Sequence, residues 1–268
     1  MSIIPIPLQE DLLKVDGVTV SFSGFKAINN LTFSMKRGEL RVVIGPNGAG
    51  KTTLLDVITG KTRPTKGRVM FKGKEISRLS TERIACLGVG RKFQTPNIFK
   101  SLSVIENLSL ALKSPRGVAA SLLSPFVRQN RGRIYELLEI IGLSHKAHRV
   151  AGLLAHGEKQ WLELGMVMAQ DPELLLIDEP VAGMTPRESE RTGELLMSMA
   201  RKHALLVIEH DMSFVRQIAQ TVTVLDEGQM LFEGTVDEVQ KNEKVIEVYL
   251  GTDRELDAAS KETVGSLR

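Results

Sequence analysis

Glycines at positions 45 and 50, followed at once by Lys51 and Thr52, have the types and spacing of a group that can hold phosphate. The run Val42-Val43-Ile44-Gly45-Pro46-Asn47-Gly48-Ala49-Gly50-Lys51-Thr52-Thr53 satisfies G-x-x-x-x-G-K-[ST]. Its β-branched lead predicts a strand and the apolar-periodic residues after Thr52 predict a helix, the context this pattern requires. Glycines let several N–H groups turn inward, and the amides opening a helix add positive potential. Gly45, Asn47, Gly48, Ala49, Gly50, Lys51, Thr52 and Thr53 are therefore expected to bind a nucleotide. Lys51 is expected to reach the β and γ phosphates, and Thr52 to ligate Mg²⁺. The alternative is a glycine-rich turn beside a surface lysine, which leaves the strand and helix context unused.

A second pair of chemical groups ends the apolar run Leu174-Leu175-Leu176-Ile177, where Asp178 and Glu179 are delivered at the C-terminal end of a predicted strand. Ligands collect at such strand ends in open α/β sheets. Asp178 is expected in the Mg²⁺ shell, and Glu179 is expected to polarise an attacking water. Adjacent carboxylates after a strand also serve as helix caps, and taken alone the pair leaves both readings open.

The elements that must position these groups follow from periodicity. Alternation over Leu13–Val20 and Ala27–Met35, and within the turn-flanked segment Arg63–Gly73, predicts an antiparallel layer on both sides of the phosphate loop in sequence. Ile134, Leu137, Leu138 and Ile141 fall at i, i+3, i+4 and i+7, and predict a helix inside a mainly helical insert. From Leu174 the chain alternates apolar runs with helical segments at Glu188–Met199 and Met212–Gln220, which predicts parallel βα units, and Gln229–Gly234 reads as a closing strand. The expected fold is α/β, a mixed-sheet core with an antiparallel β layer and an inserted helical subdomain. Its expected divisions are 1–94, 95–165 (the insert), 166–250 (the rest of the core) and 251–268 (a tail).

Composition excludes several classes. The chain has 268 residues, 42% hydrophobic and 25% charged, with a formal net charge of +3. That charge is mild and no basic block interleaved with aromatics accompanies it, so no nucleic-acid partner is expected. One cysteine, Cys86, rules out an intrachain disulfide and is expected to be a small packed residue. No apolar run approaches the eighteen or so residues of a spanning helix, and the expected location is cytoplasmic.

With these motifs in order, the chain from about Leu13 to Gly251 resembles the ATP-binding subunits of ABC transporters. The resemblance implies that Phe22 stacks on adenine, that Gln94 in Arg91-Lys92-Phe93-Gln94-Thr95-Pro96 meets Mg²⁺ and water, and that His210 in Val207-Ile208-Glu209-His210-Asp211 contacts the γ phosphate. Each has an ordinary alternative: an aromatic of the strand layer, a polar loop residue, a structural histidine. The resemblance also implies catalytic roles for Glu179, His210, Lys51 and Gln94, metal contacts through Thr52, Gln94 and Asp178, and a signature loop at Leu154-Ala155-His156-Gly157-Glu158 that caps the γ phosphate of an opposite subunit.

This chain departs from the family's LSGGQ wording. Ala155 lacks the serine hydroxyl, and Glu158 adds a negative charge that Lys159 is expected to offset in part. Thr185 in Val181-Ala182-Gly183-Met184-Thr185 replaces the common aspartate. The wording around Gly90–Pro96, His156–Glu163, Pro180–Thr185 and Glu247–Gly251 is similar to the branched-chain amino-acid importer group, and within it most similar to urea-permease ATP-binding subunits.

What the resemblance implies is an Mg-dependent, transport-coupled ATPase powering an importer, with urea as cargo. A branched-chain amino-acid importer ATPase and a soluble ABC ATPase uncoupled from transport are the alternatives. Implied partners are a second ATP-binding subunit, as homo- or heterodimer, and transmembrane permease subunits on the inner face of the cell membrane.

Overall fold

The computed structural model describes residues 11–92, 97–112 and 130–248. In chain order the elements are β1 (Leu13–Phe22), β2 (Phe25–Met35), β3 (Leu40–Ile44), α1 (Lys51–Ile58), β4 (Lys66–Phe71), β5 (Lys74–Glu75), α2 (Thr81–Leu87), β6 (Val89–Lys92) and α3 (Val104–Ala111). There follow α4 (Arg131–Ile140), α5 (His156–Met168), β7 (Leu174–Asp178), α6 (Pro186–Ala200), β8 (Ala204–Ile208), α7 (Met212–Ile218), β9 (Thr221–Asp226), β10 (Gln229–Gly234) and α8 (Val236–Lys241). Two compact units form: one takes in the described residues up to Thr81 and from Ile208 onward, the other runs Glu82–Val207.

In the first unit, β2-β1-β4-β5 make a four-stranded antiparallel sheet. Val15, Val18 and Val20 of β1 turn inward with no more than 1% exposure, so one face of this layer is packed. β1 extends past the expected Val20 to Phe22, because Phe22 pairs across the strands with Phe25 and leaves only Ser23 and Gly24 to make the turn. A second set of strands runs β10-β9-β3, with β3 parallel to β9 and β10 antiparallel to it. All five residues of β3 are buried, as an apolar run covered on both faces must be.

In the second unit the strand order is β8-β7-β6, with β6 parallel to β7 in the register Arg91↔Leu176 and Lys92↔Ile177. Every residue of β7 and β8 is buried. Helix α5 packs against α3, α4 and β6. Cβ atoms built on Gly165 and Gly90 would meet Ile141 and Leu108 at 3.0–3.1 Å and Val167 at 2.8 Å, so any larger residue would push these side chains aside. The described residues of the expected insert, 97–112 and 130–165, fall in this unit. Cys86 is exposed, not packed, because α2 buries only Ile84.

Candidate functional site

The chemistry-bearing residues divide between the units, and each set is described by itself. In the first unit β3 runs into the phosphate loop, and Gly45 and Gly50 stand where no other residue fits. A Cβ on Gly45 would lie 2.2 Å from the carbonyl oxygen of Leu225, and one on Gly50 would lie 2.4 Å from that of Ala27. Gly50, at φ 94°, is the N-cap of α1, no side chain caps this helix, and its first turn carries no acidic residue. The first N–H groups of a helix have no acceptor within it, so this end presents donors and a positive dipole to an anion. The Lys51 ammonium donates to the carbonyls of Gly45 (2.6 Å) and Pro46 (2.8 Å), closing the loop upon itself. Thr52 is exposed on the first turn and Thr53 half-buried beside it.

A cavity of about 500 Å³ borders the loop residues Pro46, Asn47, Gly48 and Ala49, and Phe25 forms part of its wall. Phe22 does not line it; its side chain is half exposed (51%) at the tip of the β1–β2 hairpin. His210 follows β8, and the backbone N–H of its neighbour Glu209 donates to the carbonyl of Val43 on β3 (3.2 Å). The Glu209 carboxylate is 1% exposed and accepts from the backbone N–H groups of His210 (2.8 Å) and Asp211 (3.1 Å), while His210 Nδ1 stands 3.6 Å from it. The His210 imidazole is thus held by its backbone and presented outward, its side chain 64% exposed. Asp211 caps α7; the Ser213 hydroxyl, against the cost of partial burial, and the N–H groups of Phe214 and Ser213 hold its carboxyl below the usual range.

In the second unit β7 delivers Asp178, buried, with Arg91 Nη2 3.6 Å from its carboxylate. The backbone enters the left-handed region at Glu179 (φ 45°) and turns through 179–184. For a residue with a Cβ that geometry costs roughly 1–3 kcal/mol, and such residues concentrate at functional sites. Thr185 ends this loop as N-cap of α6: it accepts from the Glu188 N–H (3.4 Å), and Glu188 accepts from the Thr185 N–H (3.0 Å) and hydroxyl (2.8 Å). The threonine that replaces an aspartate therefore keeps the capping chemistry. Those bonds, the backbone one foremost, hold the Glu188 carboxyl below the usual range.

The signature residues open α5. Ala155 is the N-cap and has no oxygen to offer, so only the return half of a capping box exists: the Ala155 N–H donates to Glu158 Oε2 at 3.1 Å. The cation that meets Glu158 is Lys146, not the adjacent Lys159. Burial works against ionisation of Glu158, but the Lys146 ammonium and the Ala155 N–H prevail and lower its pKa. Gly157 packs on the α6 cap, where a Cβ would lie 2.6 Å from Glu188 Oε1. His156 is exposed, its Nε2 3.8 Å from where a Cβ on Gly183 would stand, so the signature and the 181–185 loop are neighbours.

Gln94 lies outside the described residues, as does the 251–268 tail. Sequence reasoning assigned nothing to Arg91, Lys92, Glu163 or Glu209. The available signal was a charged residue set among apolar ones, as at Leu162-Glu163-Leu164. Among the described residues there is no group of three or more His, Cys, Asp or Glu able to hold a metal, and no helix long and apolar enough to cross a membrane.

Comparison with known proteins adds a family. A model of the ABC transporter family matches residues 28–182, and one of the branched-chain amino acid ATP-binding cassette transporter matches residues 229–255. The high-affinity branched-chain amino acid transport ATP-binding protein LivG of Salmonella typhimurium is 37% identical over 255 residues, covering 91% of this chain and 99% of that protein. BraF of Pseudomonas aeruginosa, described in the same words, is 34% identical over 253 residues, covering 91% and 99%. The crystal structure of an ATP-binding cassette of an ABC transporter in its ADP conformation superposes with a TM-score of 0.77 at 29% identity, covering 90% of this chain and 99% of that one.

Proposed function

This chain belongs to the ABC transporter family, and from that premise we propose that it is the ATP-hydrolysing subunit of an importer of the branched-chain amino-acid type. The observation that carries the reading is the uncapped, acid-free N-terminus of α1 behind a loop that tolerates no side chain at Gly45 or Gly50. That end of the helix is built for the phosphates of ATP.

In this reading Lys51 exchanges its loop carbonyls for the β and γ phosphates, and the N–H groups at the start of α1 donate to the phosphate oxygens. Thr52 and Asp178 offer a hydroxyl and a carboxylate, a hard-oxygen pair of the kind Mg²⁺ takes alongside phosphate and water. Bound there, Mg²⁺ would supply charge neutralisation at the phosphates. Glu179 orients the attacking water, His210 donates to the γ phosphate, and Gln94 and Phe22 keep the roles that the family resemblance implies. A second ATP-binding subunit brings Ala155, His156, Gly157 and Glu158 against the γ phosphate.

Permease subunits are the proposed second partner, at the inner face of the membrane. The surface offered to them is apolar: Phe99 (53% exposed), Val150 (42%) and Leu153 (66%) stand on two segments joined by the Ala151 N–H to Leu102 and the Gly152 N–H to Lys100. The relatives named above are branched-chain amino acid transport proteins, which favours that class of cargo. Urea rests on the wording of the Gly90–Pro96, His156–Glu163, Pro180–Thr185 and Glu247–Gly251 runs alone. Replacing Glu179 by Gln should abolish phosphate release while ATP still binds, and unaltered hydrolysis would sink the ATPase reading. Co-purification with the permease, followed by uptake of leucine against urea, decides the cargo.

A further inference from the structure

Helix α5 carries a carboxylate that neither nucleotide chemistry nor packing requires. Glu163 is 3% exposed between Leu162 and Leu164, both fully buried, where an apolar side chain would serve the core as well. Its Oε1 accepts the backbone N–H of Asn97 at 3.1 Å, and its Oε2 lies 3.9 Å from the ammonium of Lys92, which has no exposed surface at all. Burying a lysine is costly unless a counter-charge accompanies it, and exchanging a buried ion pair for apolar residues of like volume is commonly neutral or stabilising. Stability alone therefore does not explain the pair.

Its placement does. Lys92 is the last residue of β6 and Asn97 the first described residue beyond positions 93–96. One carboxylate thus holds the residues on both sides of Gln94. The same helix opens with the signature, and seven residues from His156 to Glu163 span roughly 10 Å at 1.5 Å each. The opposite side of α5 is tied to α6, where Trp161 Nε1 donates to Thr192 Oγ1 at 2.9 Å and the Arg191 guanidinium lies 4.4 Å from the indole centroid. The helix is thus held on both sides, with the Glu163 carboxylate on it.

We infer that Glu163 is a positioning residue, paired with Lys92, that ties the signature helix to both ends of the Gln94 segment, so that the two respond together when ATP is capped. This rests on the ATPase reading above. Its consequence is a loss confined to turnover, since no group of the phosphate loop is touched.

The test is the full-length double variant Lys92→Met/Glu163→Leu, which removes both charges and keeps apolar volume, assayed for thermal unfolding, ATP affinity, KM and kcat. The expected result is cooperative unfolding at a temperature lowered by a few degrees for the lost Asn97 acceptor, KM within about twofold, and kcat reduced about tenfold, the scale of coupling through a packed network. Wild-type kcat in the folded double variant would overturn the inference. Should that variant fail to fold, Glu163→Gln retains the shape and the acceptor for Asn97. It is then expected to lower kcat about threefold at constant KM, and no change would overturn the inference equally. Wild-type protein and Glu179→Gln run in parallel separate the two readings: if the wild type hydrolyses ATP and Glu179→Gln does not, a failure at Lys92 and Glu163 belongs to this inference alone.

Discussion

In the proposed function two helix N-termini meet phosphate, and they differ in the charge placed beside them. Helix α1 begins at a left-handed glycine with no side-chain cap and no acid in its first turn, so its donors await a ligand. Helix α5 begins at Ala155 with its own carboxylate folded back: Glu158 takes the Ala155 N–H and the Lys146 ammonium. Neither helix has a side-chain cap for the N–H groups of its first turn; what differs is the acid, absent from the first turn of α1 and folded back onto the Ala155 N–H in α5. In the proposed function this difference gives the intrinsic affinity for nucleotide to α1 and leaves α5 to respond to assembly.

The largest effects that could break this contrast come from adding one methyl group at each end. Gly45→Ala drives a Cβ to 2.2 Å from a backbone oxygen that cannot retreat. It should weaken ATP binding by more than about 100-fold, near 2.7 kcal/mol, in an equilibrium titration of the separated chain. Gly157→Ala meets only the Glu188 side chain and should leave that titration unchanged while impairing turnover. Equal losses of affinity at both ends would abolish the distinction.

A smaller effect sharpens it. Ala155→Ser restores the missing half of the α5 cap and should add about 0.5–2 kcal/mol, read as a rise of about 1–6 °C in unfolding temperature. Gly50→Ser at the corresponding place on α1 should destabilise, since its φ of 94° and the 2.4 Å approach of the Ala27 oxygen leave no room.

The smallest effect is a pH dependence. Glu158 and Glu188 have folded-state pKa values below the usual 4.5. Their stabilisation is complete above the unfolded pKa near 4.5 and disappears as pH falls through the lower folded values. Chemical unfolding between about pH 5 and pH 3 should therefore lose stability less steeply in Glu158→Gln than in the wild type. A parallel pair of curves would show that the α5 carboxylate is not engaged.

What could be read from the sequence follows the distance over which each interaction acts. The phosphate loop, the strand leading to Asp178 and the apolar faces of α4 and α6 are local patterns, and the structure places them where periodicity put them. The end of β1 was not local in this sense, because the Phe22–Phe25 pairing decides it. Glu158 was expected to lean on Lys159, its neighbour in the chain, but helix geometry turns it toward Lys146, twelve residues upstream. Glu163 meets Asn97 across 66 positions, beyond the reach of any motif. Thr185 was legible as a departure from the family's aspartate, but its value as a cap emerges only with Glu188 on the first turn of α6.

The central claim is that the phosphate loop of one chain is completed by the signature helix of another. Lys51→Ala disables the loop and leaves the signature intact, while Gly157→Trp does the reverse, so each variant alone should be inactive. Mixed in equal amounts, the two variants should give mixed dimers with one intact composite site, and ATP turnover should recover to about a quarter of the wild-type rate. Turnover that stays at the level of the separate variants, under conditions where the wild-type chain hydrolyses ATP, would contradict the claim.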